Sequence, residues 1–494
     1  MFNPRERREM EVKAWLLEAL DDLKRTEGVV YADARYLERE TESITVRNEE
    51  VAGLSHEETK GYGIRVLYRG SWGFAASGVL KPEAVRETAR RALAIAKASY
   101  LTQKKPVKLD DTPPQRGTYK SPWEEDPFDV SLDEKLELLF SAVRILRKDK
   151  RIVKAEGAMQ LFHTRKLFLS TEGAEIEQEI VESGAGIEAT AVEGREVQRR
   201  SFPTSFGGNY AARGYEFIRS LGLVKNADRI REEAIALLSA APCPVGEFDL
   251  ILAGDQLALQ VHESCGHPTE LDRVLGTEIS YAGGSFLTLD KLGKYRYGSE
   301  IVNLVADATI PGSIGSFGYD DEGVPAQKTY LVREGILVGY LTSRETAPVI
   351  GRRSNGCMRA ESWHHIPLIR MVNINLEPAP DGPTLEELIA DTKHGILMQT
   401  NKSWSIDDLR LNFQFGCEIA WEIMDGKKVR LLKNPVYTGI TPEFWRSCDA
   451  ICGKSEWKIW GLPNCGKGEP SQAMHVAHGT APARFRKVRI GSGK

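Results

Sequence analysis

Cysteine and histidine are scarce, at 7 and 9 residues in a chain of 494. The cysteines, at positions 243, 265, 357, 417, 448, 452 and 465, are odd in number and scattered. A chain this long folds without disulfide staples, so reduced thiols or metal ligands are expected rather than a disulfide framework. No run approaches the roughly 18 uninterrupted apolar residues of a membrane-spanning helix. The opening MFNPRERREMEVKAW is charged and lacks the apolar core of a signal peptide. Cytoplasmic is therefore the expected compartment, with no membrane partner. A basic excess is missing too. The net charge is −4 and no nucleic-acid-binding motif stands out, so no nucleic-acid partner is expected. Internal repeats and low-complexity tracts are absent.

What is present reads as an α+β chain. Met10, Val12, Trp15, Leu16, Ala19, Leu20 and Leu23 share a helical face that stops at Gly28. SITVRNEEVAGL and GYGIRVLYRGSWGFAAS alternate like strands, the second a hairpin about Arg69-Gly70. PEAVRETARRALAIAKAS returns to helical spacing. We expect an N-terminal α/β domain over 1–103 with helices on a twisted sheet. A Pro- and charge-rich linker follows over 104–130. A central α/β domain over 131–245 opens with a capping box at Ser131-Leu132-Asp133-Glu134 and includes a helix near 226–240. The larger region 246–494 is expected to be β-rich and to carry a metal-site helix. Its buried strand FDLILA leads into that helix, with Asp255 as N-cap. Short helices are expected near 384–393 and 441–451, and Asp425-Gly426 marks a hairpin.

The chemistry concentrates at His262-Glu263-Ser264-Cys265-Gly266-His267. On a regular helix, residues five apart point about 140° apart, so the two imidazoles cannot share an ion. A turn widened to i→i+5 hydrogen bonding brings them into line, and such turns cluster at functional sites. Gly266 and Pro268 both favour a distortion or an end there. Two imidazoles and a third protein ligand would leave one position open for water on zinc, with Glu263 beside it as general base. The alternative is two histidines at a helix end with no metal between them.

With HESCGHPTELD, three further blocks match a known family. They are GYGIRVLYRGSWGFAAS, GSFGYDDEGVPAQKTYLVREGILVGYLTSRETA and Cys465-Gly466-Lys467. The chain resembles the TldD/PmbA proteins, and specifically their TldD-type zinc metallopeptidases. The resemblance implies one zinc ion per catalytic chain, held by His262, His267 and Cys465, with Glu263 as the base. It implies extended or unfolded peptide substrates. It also implies a homodimer, or a heterodimer with a PmbA/TldE-like subunit. Pro268 departs from the family, which usually has a small residue there. The alternative function is a non-catalytic or regulatory partner subunit of the same fold with a structural metal. A third reading, a nucleic-acid-associated regulator, is opposed by the charge balance.

Other polar residues carry weaker expectations. Glu270 and Asp272 are candidates to orient a ligand histidine, as carboxylates commonly do, or stand in a solvated turn; the resemblance, which has a carboxylate at the same place, favours Glu270. Cys265 is a possible competing ligand. Cys448 and Cys452, four apart on an expected helix, read as core thiols, and Cys417 as core on a strand. Cys465 is expected in a loop, with Lys467 favouring its thiolate. His475 and His478 read as surface-loop histidines, one of which could reach the site. The acidic stretch Asp320-Asp321-Glu322 reads as a hairpin-capping turn or as a loop near the cleft. Arg353 and Glu361 carry no assigned role.

Overall fold

The structure, a computed structural model, describes residues 4–491. Helix α1 (Pro4–Arg25) buries Val12, Leu16, Ala19, Leu20 and Leu23 of the stripe its spacing predicts, while Trp15 is half-buried and Met10, near the start of the helix, is exposed. It packs on a sheet made of long antiparallel strands. These include β1 (Val29–Arg47), β2 (Glu50–Tyr68) and β3 (Ser71–Ser77). The β2–β3 turn places Arg69 and Gly70 at φ 49° and 85°, the paired positive values of a tight hairpin. Helix α2 (Pro82–Tyr100) lies beside α1 and covers the same end of the sheet.

The sheet does not stop at the first hundred residues. After α3 (Leu132–Leu146), β5 (Ile152–Ser170) pairs with β1 from Asp33↔Ser170 to Arg47↔Glu156. Strand β6 (Glu175–Glu193) extends it further, and with β4 (Arg116–Lys120) the order is β3-β2-β1-β5-β6-β4. Strands β7 (Glu196–Phe202) and β8 (Asn209–Ala211) also pair with β6. Strand β4 (Arg116–Lys120), inside the stretch expected as a linker, runs parallel to β6. Its backbone groups satisfy an edge of β6 that would otherwise lack partners. Ser131 caps α3, its Oγ accepting from the Glu134 N–H at 3.3 Å. The capping is one-sided, because the Glu134 carboxylate pairs with Arg219 instead. Helix Leu223–Ser239 packs beside α3 over β6 and β7.

The C-terminal region is β-rich. Strand Gly246–Leu252 pairs with Ala483–Ile490 on one side and His394–Ile406 on the other. The pairings continue through Val436–Ile440 and Asn412–Met424 and return to His394–Ile406, so the ladder closes on itself. Closure removes exposed strand edges. The hairpin at Asp425-Gly426 forms with φ 46° and 77°. Helix Leu385–Ala390 forms with a full capping box between Thr384 and Glu387.

Three local expectations fail. The helix expected over 441–451 ends at Arg446, and Cys448–Ile451 is a strand on Ala483–Ile490. Tertiary ladder pairing outweighs the helical spacing there. Both Cys448 and Cys452 are nevertheless buried among apolar side chains. Asp255 is not the N-cap. That position is Ala253, and Asp255 is buried in the first turn, accepting from Thr400 Oγ1 at 2.7 Å. Cys465 lies on a strand, Lys458–Lys467, paired with Gln472–Thr480, rather than in a loop. A bulge between Leu462 and Cys465 absorbs the Pro463-Asn464 pair that suggested a loop. No helix among the described residues is long and apolar enough to cross a membrane.

Candidate metal centre

Strand Gly246–Leu252 feeds helix Gly254–Val261, which buries every residue. At His262 the helix widens. The His267 N–H donates to the His262 carbonyl five residues back, the i→i+5 turn that the hexad spacing demands. Gly266 is required for packing: a methyl in its place would sit 2.0 Å from the Met371 sulfur. Pro268 is accommodated because the chain leaves the widened turn as a single 3₁₀ turn, His267–Thr269.

The turn brings the two imidazoles together, with ring centroids 4.9 Å apart and planes perpendicular. Cys465 approaches from the Lys458–Lys467 strand, its Sγ 3.8 Å from His267 Nε2. One donor atom from each of His262, His267 and Cys465 lies within 4.8 Å of the others, and all three residues are buried. Of the other cysteines, Cys265 packs into the apolar core and is not one of the three, and burial pushes its thiol well up.

The hydrogen bonds around these residues dictate which atoms are available. His478 Nδ1 lies 2.9 Å from the Ile374 carbonyl, which only accepts, so that nitrogen carries the proton. With the ring neutral, His478 Nε2 is then an acceptor, and His262 Nδ1, 2.8 Å away, must donate to it. The lone pair of His262 is thereby left on Nε2. His267 Nδ1 meets the Glu270 carboxylate at 3.0 Å, so its lone pair is also on Nε2. Burial depresses the pKa of His262 and lowers those of His267 and His478 strongly, which keeps the rings neutral. Burial works against the Cys465 thiolate, while positive charge at the His267 ring position and on Arg370 lowers the thiol pKa, so the thiolate is favoured beside a cation of the kind a metal ion would supply. Neutral imidazoles and a favoured thiolate match what zinc takes.

Glu270 lies where a histidine-orienting carboxylate was expected. It is fully buried, and Arg273 and Lys467 stand 3.4 Å from its two oxygens. Lys467 also donates to Asp272 at 2.8 Å, so it serves this carboxylate group rather than the Cys465 thiol. Glu263 is buried, and its one side-chain hydrogen-bond partner among the described residues is Arg410, whose Nη1 donates to Oε2 at 2.7 Å.

One residue of this arrangement is half legible in the sequence and one escapes it. His478, read either as a surface histidine or as one of two that could reach the site, is buried on strand Gln472–Thr480, because the hairpin packs against the metal-site helix. Arg410 sits in an ordinary-looking loop, and no local signal marks it. His475 points elsewhere and pairs with Glu182 at 2.9 Å. It lines a cavity of about 640 Å³ between the first sheet and the hairpin, along with Arg39, Lys166, Glu182, Arg359 and Asn464. None of the three candidate ligands lines that cavity.

The acidic stretch is a joint between regions. Asp321 accepts from Lys166 of β5 at 3.2 Å and from the Ala360 N–H at 2.8 Å. Glu322 accepts from the Arg344 N–H at 2.8 Å and stands 3.4 Å from Arg65 of β2. Asp320 accepts from the N–H groups of Glu322, Val324 and Met358. Arg353 pairs with Asp111 on the surface. Glu361 accepts from the Ala473 N–H at 2.7 Å.

Comparison with known proteins agrees in one direction. Residues 245–492 match the PmbA/TldA metallopeptidase C-terminal domain, 32–96 match domain 1 and 125–238 the central domain. A metalloprotease of Methanocaldococcus jannaschii is 31% identical over 449 residues, covering 91% of this chain and 94% of that one. A zinc metalloprotease TldD homolog of Saccharolobus solfataricus is 24% identical, over 94% of this chain and 97% of its own. The crystal structure of TldE from Thermococcus kodakarensis shares the fold, with a TM-score of 0.74 at 18% identity over 97% of this chain and all of that one. The chain belongs to the PmbA/TldD metallopeptidase family.

Proposed function

We propose that this chain is a zinc-dependent peptidase that cleaves extended or unfolded peptides. The observation that carries the reading is the meeting of His262, His267 and Cys465 with both imidazole lone pairs on Nε2. In this reading those residues hold the zinc, whose Lewis acidity makes water a competent nucleophile near neutral pH. Glu263 accepts the proton that water gives up as its oxygen bonds to the scissile carbon. It then delivers that proton to the amine nitrogen as the C–N bond breaks. Glu270 and His478 keep the two rings in the tautomer and orientation that this requires.

The strand carrying Cys465 has a ladder partner on one side only among the described residues, and on the other side Asn209 pairs with its backbone at Ile459 and Gly461, leaving the stretch towards Cys465 without a strand. A peptide adding to such an edge binds through its backbone, with little sequence demand and with a requirement for extended chain. A buried centre of this kind also suits a cytoplasmic enzyme that works with a second subunit of the same fold, either a copy of itself or a TldE-like chain. A structural metal in a non-catalytic partner would have no use for Glu263, which separates the two functions.

Glu263→Gln is expected to retain zinc and lose about 10²–10⁴-fold in turnover, the usual effect of removing a general base. The assay offers one polypeptide in native and unfolded form, with and without a chelator. Cleavage of the unfolded form alone, abolished by the chelator, is the expected result. Cleavage that survives chelation, or normal turnover by Glu263→Gln, would overturn the reading.

A further inference from the structure

We infer that Arg410 is a further residue of the reaction centre, which holds Glu263 and donates to the scissile carbonyl oxygen of the peptide. The inference rests on the peptidase reading above. Arg410 lies in the five-residue loop between strands His394–Ile406 and Asn412–Met424, far in sequence from the hexad. Its backbone is at φ 62°, in the left-handed region that few non-glycine residues adopt.

The surroundings are specific. The Arg410 N–H donates to the Asp407 carbonyl at 2.9 Å, and the Leu411 N–H to Asp407 Oδ1 at 2.7 Å. The Arg410 carbonyl accepts from Thr441 Oγ1 at 2.9 Å, and the Leu409 carbonyl from the Phe286 N–H at 2.9 Å. The loop is therefore fixed from both sides, and the guanidinium is delivered to one place.

At that place only part of the guanidinium is used. Nη1 donates to Glu263 Oε2 at 2.7 Å. Nε is buried and has no hydrogen-bond partner among the described residues. A buried donor without a partner is costly, and an acceptor that arrives later would satisfy it. Glu263 directly follows His262, so the guanidinium that it holds lies beside the candidate metal centre.

The acceptor that would arrive there is the peptide carbonyl. When water adds to the carbon, the C=O electron pair moves onto oxygen while Glu263 takes the proton. A fixed cationic donor stabilises that developing charge more than it stabilises the neutral carbonyl. The oxygen charge collapses back to a carbonyl as the amine leaves with the proton from Glu263. The products are a carboxylate and an amine. Arg410 gains and loses nothing covalently.

The test uses the full chain with its zinc, and its partner subunit if activity requires one. Arg410→Gln, Arg410→Ala and Arg410→Lys are compared with wild type. Loss of one such donor typically lowers kcat by about 10²–10³-fold. We expect a loss of that size for Gln and Ala, with KM within a few-fold and zinc content unchanged. Arg410→Lys should recover part of the rate, and added guanidinium should partly rescue Arg410→Ala. A second readout is binding of a phosphinic peptide, whose tetrahedral oxygens mimic the charged carbonyl. It should weaken about 10²-fold in Arg410→Gln, while binding of the parent peptide to a Glu263→Gln background should not. A kcat within threefold of wild type in Arg410→Gln would overturn the inference. So would equal weakening of the phosphinic and parent peptides. Glu263→Gln run in parallel separates the two proposals: if it is fully active the peptidase reading itself fails, and if it is inactive while Arg410→Gln is normal only the role of Arg410 fails.

Discussion

The acidic stretch Asp320–Glu322 and the turn His262–His267 are both buried and both crowded with ionisable side chains. In the acidic stretch, each carboxylate is met by backbone N–H groups or by cations from elsewhere in the chain. Nothing is left over to bind anything else. In the turn, the opposite holds. The outer nitrogens of His262 and His267 are committed to His478 and Glu270, and the inner ones face Cys465. Donors that converge without satisfying one another mark a site, whereas donors that satisfy one another mark a joint.

The sharpest way to break that comparison is to remove one converging donor. Cys465→Ala is expected to abolish stoichiometric zinc binding, read by metal analysis of purified protein, while Cys448→Ala and Cys452→Ala retain it. The latter two thiols are buried among apolar groups, and burial pushes Cys452 up to about 12. Loss of zinc in Cys452→Ala with retention in Cys465→Ala would reverse the assignment.

The joint should respond in stability instead. Arg65 pairs with Asp33 at 2.6 Å and with Glu322 at 3.4 Å, and all three are buried. Arg65→Met leaves two buried carboxylates without their cation. Breaking a buried ion pair from one side costs about 3–5 kcal/mol. Urea unfolding should report a loss of that size, with zinc content per folded chain unchanged. A stable Arg65→Met variant that has lost its zinc would place the acidic stretch in the site and collapse the distinction.

The contrast also explains what the sequence makes legible. The hexad is readable because helix geometry is rigid: residues five apart meet only through a widened turn, and that turn forms. The hairpins at Arg69-Gly70 and Asp425-Gly426 are readable because the residue pairs suit the positive φ angles of the turn. Glu270 is readable because the resemblance has a carboxylate at the same place, close enough in the chain to reach His267. The role of Asp320–Glu322 is not, since its partners Arg65 and Lys166 stand 257 and 155 residues away in the chain. Arg410 escapes for the same reason, 147 residues from Glu263, and His478, 216 residues from His262, is legible only as one of two histidines that could reach the site. Helical spacing alone misplaces Cys448, because a distant strand edge recruits it. Local rules report local geometry, and the long-range packing that completes a site has no local signature.

The smallest expected effect tests how finely the site is built, and it falls on His478. The Ile374 carbonyl fixes the His478 proton on Nδ1, and His478 Nε2 in turn fixes the His262 proton on Nδ1. His478→Phe keeps a ring of similar size between the hairpin and the helix but removes the acceptor. His262 would still be adjacent to the ion, yet free to adopt the other tautomer or to rotate about Cβ–Cγ. Loss of such an outer partner typically weakens metal binding about 10–100-fold. Competition for zinc against a chelator of known affinity measures this directly. The zinc-loaded variant should fold and retain its three ligands, so the loss appears in affinity rather than in stoichiometry at saturating metal. His478→Gln, whose side-chain oxygen can accept from His262 Nδ1, should recover part of the affinity. If His478→Phe holds zinc as tightly as wild type, the backbone of the widened turn alone orients His262. The leftover donor atoms would then owe their convergence to the turn, and the hairpin would contribute only Cys465.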